Sequence, residues 1–475
     1  VDLTLATKLP SAGTIVAGAA IAIVLIAALA LVMRRRADAF PLLAIFALPF
    51  RVPISADGRT VNLLVPLYLV VAAGTLVHLL PRLLSGRTNG GMEPSVTGEA
   101  RPSLRRLSSW GSPRALEWLL LGAVVLYVLQ ASYSGDHARA AENIAFFYVP
   151  FGLLFLIFRD VAWTRELLLR CLGVTVVLAV LFAGVGFVEY FRKSLFLNPK
   201  VVAADQYDNY FRVNSVFFDP SIYGRFLALV MIAVSTVVLW SKRRRDALIG
   251  AVVLAWLLAG MITSFSQSSI VALLLGLAVL AAMRWSVRWT LYVSVSLVAI
   301  AGVVVLAAPK SLHFGLKGSG GSTSNATSGR TTLVSGGLEL FAKRPLEGYG
   351  SGSFEVEYKR HSKADAESAT SASHTIPVTV AAEQGILGLI VYFALLIVAF
   401  LVLFRGAGRS PPRIALAACF AALVLHTWTY ADFLEDPFTW ALLAIGVALA
   451  RGSAFREARA RAPSYSPVGA GHNGE

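Results

Sequence analysis

What most constrains this chain is a pattern: apolar blocks about as long as a bilayer is thick recur from one end of the sequence to the other. Runs of ~18 or more apolar residues read as membrane-spanning helices. The first begins near Ser11 and continues through Ile21 to Met33. In lipid the backbone must satisfy its own hydrogen bonds, so such blocks are helices or parts of a closed barrel. A barrel would show alternating segments of ~10 residues, and these blocks do not alternate. The chain therefore reads as all-α and polytopic. Composition agrees: 56% of the 475 residues are hydrophobic and 15% charged, against about 25% charged in soluble domains. The first block lacks a basic lead-in and a convincing cleavage site, so a retained helix is expected rather than a signal peptide.

The candidate spans are 12–33, 38–54, 61–81, 115–132, 144–158, 167–190, 223–240, 247–263, 268–283, 289–308, 376–404, 414–430 and 437–450. The second is short and carries Pro41 and Pro49, which suggests a re-entrant or broken segment. Whether it crosses decides between 12 and 13 transmembrane helices. Lys and Arg collect in alternate connections: Arg34 to Arg36, Arg82 to Arg114, Arg159 to Arg170, Lys242 to Arg245, Arg284 and Arg288, Arg405 to Arg413, and the tail from Arg451. Short basic loops stay in the cytoplasm, so this set and the C-terminus are expected there. The net charge of +15 is then a topology signal. No basic face with interleaved aromatics is present, and no nucleic-acid partner is expected.

Three regions follow. Residues 1–190 hold the N-terminal helices, with a flexible cytoplasmic linker at 82–114 rich in Gly, Ser, Pro and Arg. Residues 191–450 hold the remaining helices and two long extracytoplasmic loops, 191–222 and 309–375. The second loop is large and partly helical, with a helix near Thr331 to Lys343. Residues 451–475 read as a disordered cytoplasmic tail. Cys171 and Cys419 lie inside apolar blocks and read as buried free thiols. No internal repeat is evident.

Ionisable groups at membrane depth are functional candidates by default, and four outer segments carry them. In YFRVNSVFFDPSIYGRFLALV, Asp219 and Pro220 suit an N-cap followed by the first helical position. That leaves Arg225 about one turn inside the span, in need of a partner or an anionic ligand. Arg212, with Asn214 nearby, lies in the loop before it, and guanidinium groups bind oxyanions bidentately. In TSFSQSSIV the serines either cap a simple hairpin or, with Gln267, line a polar cavity. In SGRTTLVSGGLELFAKRPLEGYGSGSF, Arg330 opens a helix and a Gly-rich turn containing Tyr349 closes it. Turn geometry explains those glycines; no Lys-Ser/Thr follows, so this is not a nucleotide loop. In SASHTIPVTVAAEQGILGLIVYF, His374 stands just before a span, and Glu383 lies nine residues further, within it. An imidazole can act as a general base near neutral pH.

In this order the segments resemble the O-antigen ligase and polymerase superfamily of membrane glycosyltransferases. The resemblance covers about residues 200–400. It rests on Arg212 before a mid-chain span and Arg330 at the start of the loop helix. The turn Pro345, Gly348, Gly350, Phe354 follows, and then His374 with Glu383, Gly385 and Gly388. Two positions depart from the family pattern: Thr375 stands where Asn usually follows the His, and Gln267 where many members have Arg. The second cationic contact then falls to Arg330 or Arg225.

The resemblance implies a C-type glycosyltransferase-like fold in a bacterial plasma (inner) membrane, with the active site facing outward. It implies transfer of a glycan from an undecaprenyl-diphosphate carrier to an acceptor hydroxyl on a glycan, lipid or protein. His374 would be the base, and Arg212 and Arg225, with Arg330, the candidates for the diphosphate clamp; Arg225, Asn214, Asp219, Gln267, Glu383 and Tyr349 would be the substrate contacts. No cofactor or metal is expected, since no His/Asp/Cys cluster with ligand spacing appears. The alternatives are a transporter or flippase for a lipid-linked glycan and a non-catalytic scaffold. Transporters commonly show repeats and mid-span charges, whereas the charges here gather at the outer mouth.

Overall fold

The computed structural model describes residues 12–56, 59–85, 111–196, 211–296, 330–361, 373 and 375–461. Ten helices among these are long and apolar enough to cross a membrane, and the chain is a multi-pass, helical membrane protein. In order, α1 is Ala12–Arg35 and α2 is Ala39–Ala47. A hairpin of β1 (Val52–Ala56) and β2 (Arg59–Leu63) follows, with Val52 opposite Leu63. Next come α3 (Val65–Gly74), a π-helical turn at Thr75–Leu79, and α4 (Leu80–Ser85). Then α5 is Pro113–Ala131, α6 His137–Asn143, α7 Val149–Phe158 and α8 Arg165–Arg192. The second half holds α9 (Pro220–Trp240), α10 (Arg244–Thr263) and α11 (Gln267–Arg284). In the large loop lie α12 (Arg330–Lys343) and α13 (Phe354–His361). The chain closes with α14 (Ile376–Phe404), α15 (Pro411–Thr429) and α16 (Pro437–Arg461).

The bundle has two ends, which salt bridges and loops identify. At one end Arg82 pairs with Asp160 (2.5 Å), Arg159 with Glu117 (2.9 Å), and Arg170 with Asp38 (2.9 Å); Arg451 also reaches Glu117. This arginine-rich end gathers the connections that the sequence assigns to the cytoplasm. The long loops leave from the other, here the loop end.

The doubtful second span resolves into a short helix and an extended run. α2 starts beside Asp38 at the arginine-rich end, and α3 returns there with Arg82. Residues 38–64 therefore carry the chain from one end to the other, so the second segment crosses; the expected span at 289–308 runs outside the described residues after 296. The expected span at 61–81 shifts to Val65–Leu84, because Arg59–Leu63 pairs as a strand. Asp57–Gly58, between two alternating runs, is a recognised hairpin signal. In the tail, expected to be disordered from 451, α16 continues to Arg461; its REARAR run is built of strong helix formers.

α9 is the axial helix. It packs on α8, α10, α11 and α15, and sixteen of its residues are buried, from Pro220 to Thr236. A helix enclosed on all sides belongs to the interior. Small residues set the closeness: Gly276 of α11 meets Ile232, and Gly250 of α10 meets Val238. By contrast α1 exposes Val16, Ile21, Ile23 and Val24, as a lipid-facing helix would.

Candidate functional site

Two polar assemblies stand at the loop end. The first locks the large loop onto α14, which is interrupted at Gly385 (φ 63°). The Gly-rich turn docks into that interruption. Tyr349 N–H donates to the Ala382 carbonyl (3.1 Å), Gly350 N–H to that of Glu383 (2.8 Å), and Ile386 N–H to that of Pro345 (2.8 Å). Gly348 (φ 70°) and Gly385 interlock: a Cβ on Gly348 would overlap the Glu383 carbonyl, and one on Gly385 the Leu346 carbonyl. Positive φ is routine only for glycine, so both positions are doubly restricted.

The buried Glu383 carboxylate accepts Gly352 N–H (2.9 Å) and Phe354 N–H (3.1 Å), two amides at the start of α13. The end of α5 closes the lock. Gln130 Nε2 donates to the Glu347 (3.3 Å) and Gln384 (3.2 Å) carbonyls, and Ser134 Oγ to the Ser351 carbonyl (2.8 Å). Tyr349 is buried, its ring under the Arg344 guanidinium (4.6 Å) and edge-on to His361. Burial raises its hydroxyl pKa, and Arg344 opposes the rise. The turn motif and the Glu383-to-Gly388 motif, separate in sequence, are one structural unit.

The second assembly forms the rim around the start of α9. Val213 N–H donates to the Thr263 carbonyl and Arg212 Nε to that of Ser264, both at 3.2 Å. This ties the loop before α9 to the α10–α11 hairpin. Arg212 is half-buried and makes no ion pair among the described residues. Beyond it, Glu189 on α8 accepts Ser215 N–H (2.8 Å) and Phe196 N–H (3.1 Å). Asn214 is wholly buried, and neither atom of its amide head finds a partner among the described residues. Ser215 (φ 52°), Phe265 (φ 48°) and Asp432 (φ 66°) all lie here. Non-glycine residues with φ above zero are uncommon, and such strain concentrates at functional sites.

The hairpin serines form a buried knot. Ser266 caps α11 and its hydroxyl bonds those of Ser268 (3.1 Å) and Ser269 (2.8 Å). Those two reach His426 Nε2 on α15 at 3.3 and 3.2 Å, and Ser269 also donates to the Ser221 carbonyl. Of the sequence alternatives, capping and polar lining, the serines do the first and add a histidine contact. Gln267 at the start of α11 is exposed.

Charges lie behind the rim. Asp219 caps α9, accepting Ser221 N–H at 2.6 Å, with Pro220 next, as the sequence suggests. Arg225, 2% exposed, pairs with Asp436 at 2.9 Å and donates to the Ala431 carbonyl at 3.3 Å. Asp436 belongs to the 430–436 link between α15 and α16. Burial pushes its pKa up against Arg225 and Arg51. In the same link, burial and the nearby Asp432 carboxylate lift Glu435 to about 7, against Arg139 and Arg51. Asn143 Nδ2 donates to Glu435 at 3.0 Å.

Of the sequence candidates, Arg212, Asn214 and Gln267 come to the rim, Asp219 and Arg225 lie behind it, and Glu383 and Tyr349 belong to the lock. Arg330 opens α12, but its side chain is outside the described residues, as is His374. The neighbours of His374 are placed. Ser373 bonds Thr379, and Thr375 Oγ1 donates to the Trp428 carbonyl (3.0 Å), two residues from His426 and from Tyr430. Sequence reading passed over Arg51, Asn143, Glu189, His426, Asp432, Glu435 and Asp436. For the last three a signal existed: three acids in a seven-residue link between two apolar runs.

Residues 252–393 match the family model described as O-Antigen ligase. The match runs from α10 into α14 and includes the hairpin, the large loop and, of the lock, the Gly-rich turn and Glu383 but not Gln130 and Ser134. It supports the O-antigen ligase/polymerase superfamily and glycan transfer of that general kind. No curated protein matches the chain.

Proposed function

We propose, with the O-antigen ligase match as premise, that this protein transfers a glycan from an undecaprenyl-diphosphate carrier to an acceptor hydroxyl at the outer face of a bacterial plasma membrane. The observation that carries the reading is the coincidence of match and geometry. The matched segment is the one whose loop is locked to α14 beside the rim that presents Arg212.

In this reading His374 accepts the proton of the acceptor hydroxyl. The hydroxyl oxygen attacks the anomeric carbon from the face opposite the diphosphate. The bond to the diphosphate oxygen breaks with its electron pair, undecaprenyl diphosphate leaves, and the anomeric centre inverts. Charge accumulating on the leaving group is met by preorganised guanidinium groups in a partly dry site. Arg225 is committed to Asp436, so Arg212 and Arg330 are the clamp. Asp219 and Asn214 border that position, and Asn214 carries hydrogen-bonding capacity that is costly to leave unmet. The membrane helices around the rim give the lipid tail an apolar path. The step as written needs no metal or cofactor.

The test is turnover of an undecaprenyl-diphosphate-linked glycan by purified protein with candidate acceptors. Inverted product is expected, and product length separates ligase from polymerase. Arg212→Ala and His374→Ala are each expected to cut turnover by at least about a hundredfold while the protein stays folded. Unchanged turnover in either variant removes that residue from the chemistry. Loss of activity in chelator, restored by a divalent ion, would overturn the metal-free step.

A further inference from the structure

Residues 48–51 are non-helical or turn-like backbone inside a crossing that an ordinary span would make as one helix. In hydrocarbon such backbone is tolerated only where protein buries it or where it lines a polar cavity. Here it ends in Arg51. The Arg51 guanidinium lies 4.9 Å from the centre of the Phe218 ring, the residue before the Asp219 cap of α9. It lines a small cavity, about one water molecule in size, with Arg225, Asp436, Phe217 and Ile222. Its charge acts on both Glu435 and Asp436. Among the described residues Arg51 makes no ion pair within 4 Å and no hydrogen bond, and it is half-buried. Arg225, its neighbour across the cavity, is held by Asp436 and the Ala431 carbonyl.

We propose that Arg51 is a further cationic contact for the donor's diphosphate, delivered to the rim by the broken second crossing. This rests on the glycan-transfer reading and extends it to the N-terminal half of the chain. Arg51 lies over the Phe218 ring, a contact that does not use up its N–H donors, and a guanidinium with free donors can bind phosphate oxygens bidentately. Arg212 approaches the same start of α9 from the hairpin side and Arg51 from the α2 side. A continuous helix through 38–54 would project Arg51 according to the helical repeat; the break frees it to meet Phe218. The competing role is that of a counter-ion for Glu435 and Asp436, and a double variant separates the two.

The experiment uses the full chain in lipid nanodiscs and measures binding of undecaprenyl diphosphate and undecaprenyl monophosphate. Wild type, Arg51→Gln, Arg51→Lys and the double variant Arg51→Gln/Glu435→Gln are compared, with thermal unfolding as the control for folding. Arg51→Gln is expected to weaken diphosphate binding about tenfold, the size of one charge-assisted contact, and monophosphate binding less. Arg51→Lys is expected to keep part of the affinity, and it carries the test if the glutamine variant does not fold. The double variant is expected to stay weak. Wild-type affinity in Arg51→Gln, or recovery in the double variant, overturns the proposal, the latter because Arg51 then serves only to balance Glu435. Failure of the wild type to bind the diphosphate lipid instead overturns the glycan-transfer reading itself.

Discussion

The two ends of the bundle use charge in opposite ways. At the arginine-rich end the outer ion pairs are open to water, with the Arg82 and Arg170 side chains 57% and 53% exposed, and the most enclosed pair, Arg159–Glu117, still keeps 26% and 17%. At the loop end Arg225 and Asp436 are 3% and 1% exposed, and Glu189, Glu383 and Glu435 each accept from backbone amides or side-chain donors. Exposed pairs contribute little, whereas taking a charge out of water is expensive unless its partner stays. The first end reads as topology, with charges that hold loops on one side of the membrane. The second keeps charges that the fold must work to retain, which is the pattern expected where charge serves chemistry.

This contrast breaks down if substitutions at the two ends cost the same. Asp436→Ala, which strands Arg225 in the interior, is expected to lower stability by about 3–5 kcal/mol, read as thermal unfolding in detergent; Asp436→Asn should lose less. Glu383→Ala leaves the Gly352 and Phe354 amides without their acceptor, with an expected cost of about 1–3 kcal/mol. Faster hydrogen exchange confined to residues 345–361 would show the lock opening, and unchanged exchange would remove Glu383 from it.

Glu435 adds a pH dependence. An unfolded glutamate releases its proton near 4.5, and folded Glu435 holds it to about 7. The folded state therefore binds more protons in that window. Stability present below 4.5 is lost as pH rises toward 7, with a limiting slope of about 1.4 kcal/mol per pH unit. Glu435→Gln should flatten that slope, and an equal slope in the variant would assign it elsewhere. The smallest effect belongs to the other end: Arg170→Ala, despite pairing with Asp38 and Glu166, is expected to change stability by no more than about 1 kcal/mol.

Much of the fold was legible because membrane insertion writes itself locally. An apolar block is contiguous, and so are the basic residues that follow it, so spans and their alternation come from short windows. The capping of α9 by Asp219 and Pro220 was readable for the same reason. What escaped is long-range. Arg225 visibly needed a partner, but Asp436 lies 211 residues away and no periodicity connects them. Glu383 stood out as a charge in a span, yet its hydrogen bonds run back to Gly352 and Phe354, and the glycine that breaks α14 resembles the many glycines membrane helices tolerate. The hairpin at 52–63 was a missed local signal, since Asp57–Gly58 lies between two short alternating runs. The serine hairpin was seen as polar, but His426, inside an apolar block of a different helix, gave no sign of meeting it.

The interlocked glycines also bear on how the chain is made. With its turn at Gly385, α14 has carbonyls and amides that its own helix does not satisfy; the Pro345–Phe354 turn supplies their partners. Inserted alone, those groups would face lipid unmet. The turn precedes α14 in synthesis, so the partner is complete before the broken helix needs it. The large loop is thus also an assembly template for the helix that follows, and shortening it at the turn should impair biogenesis before it impairs catalysis.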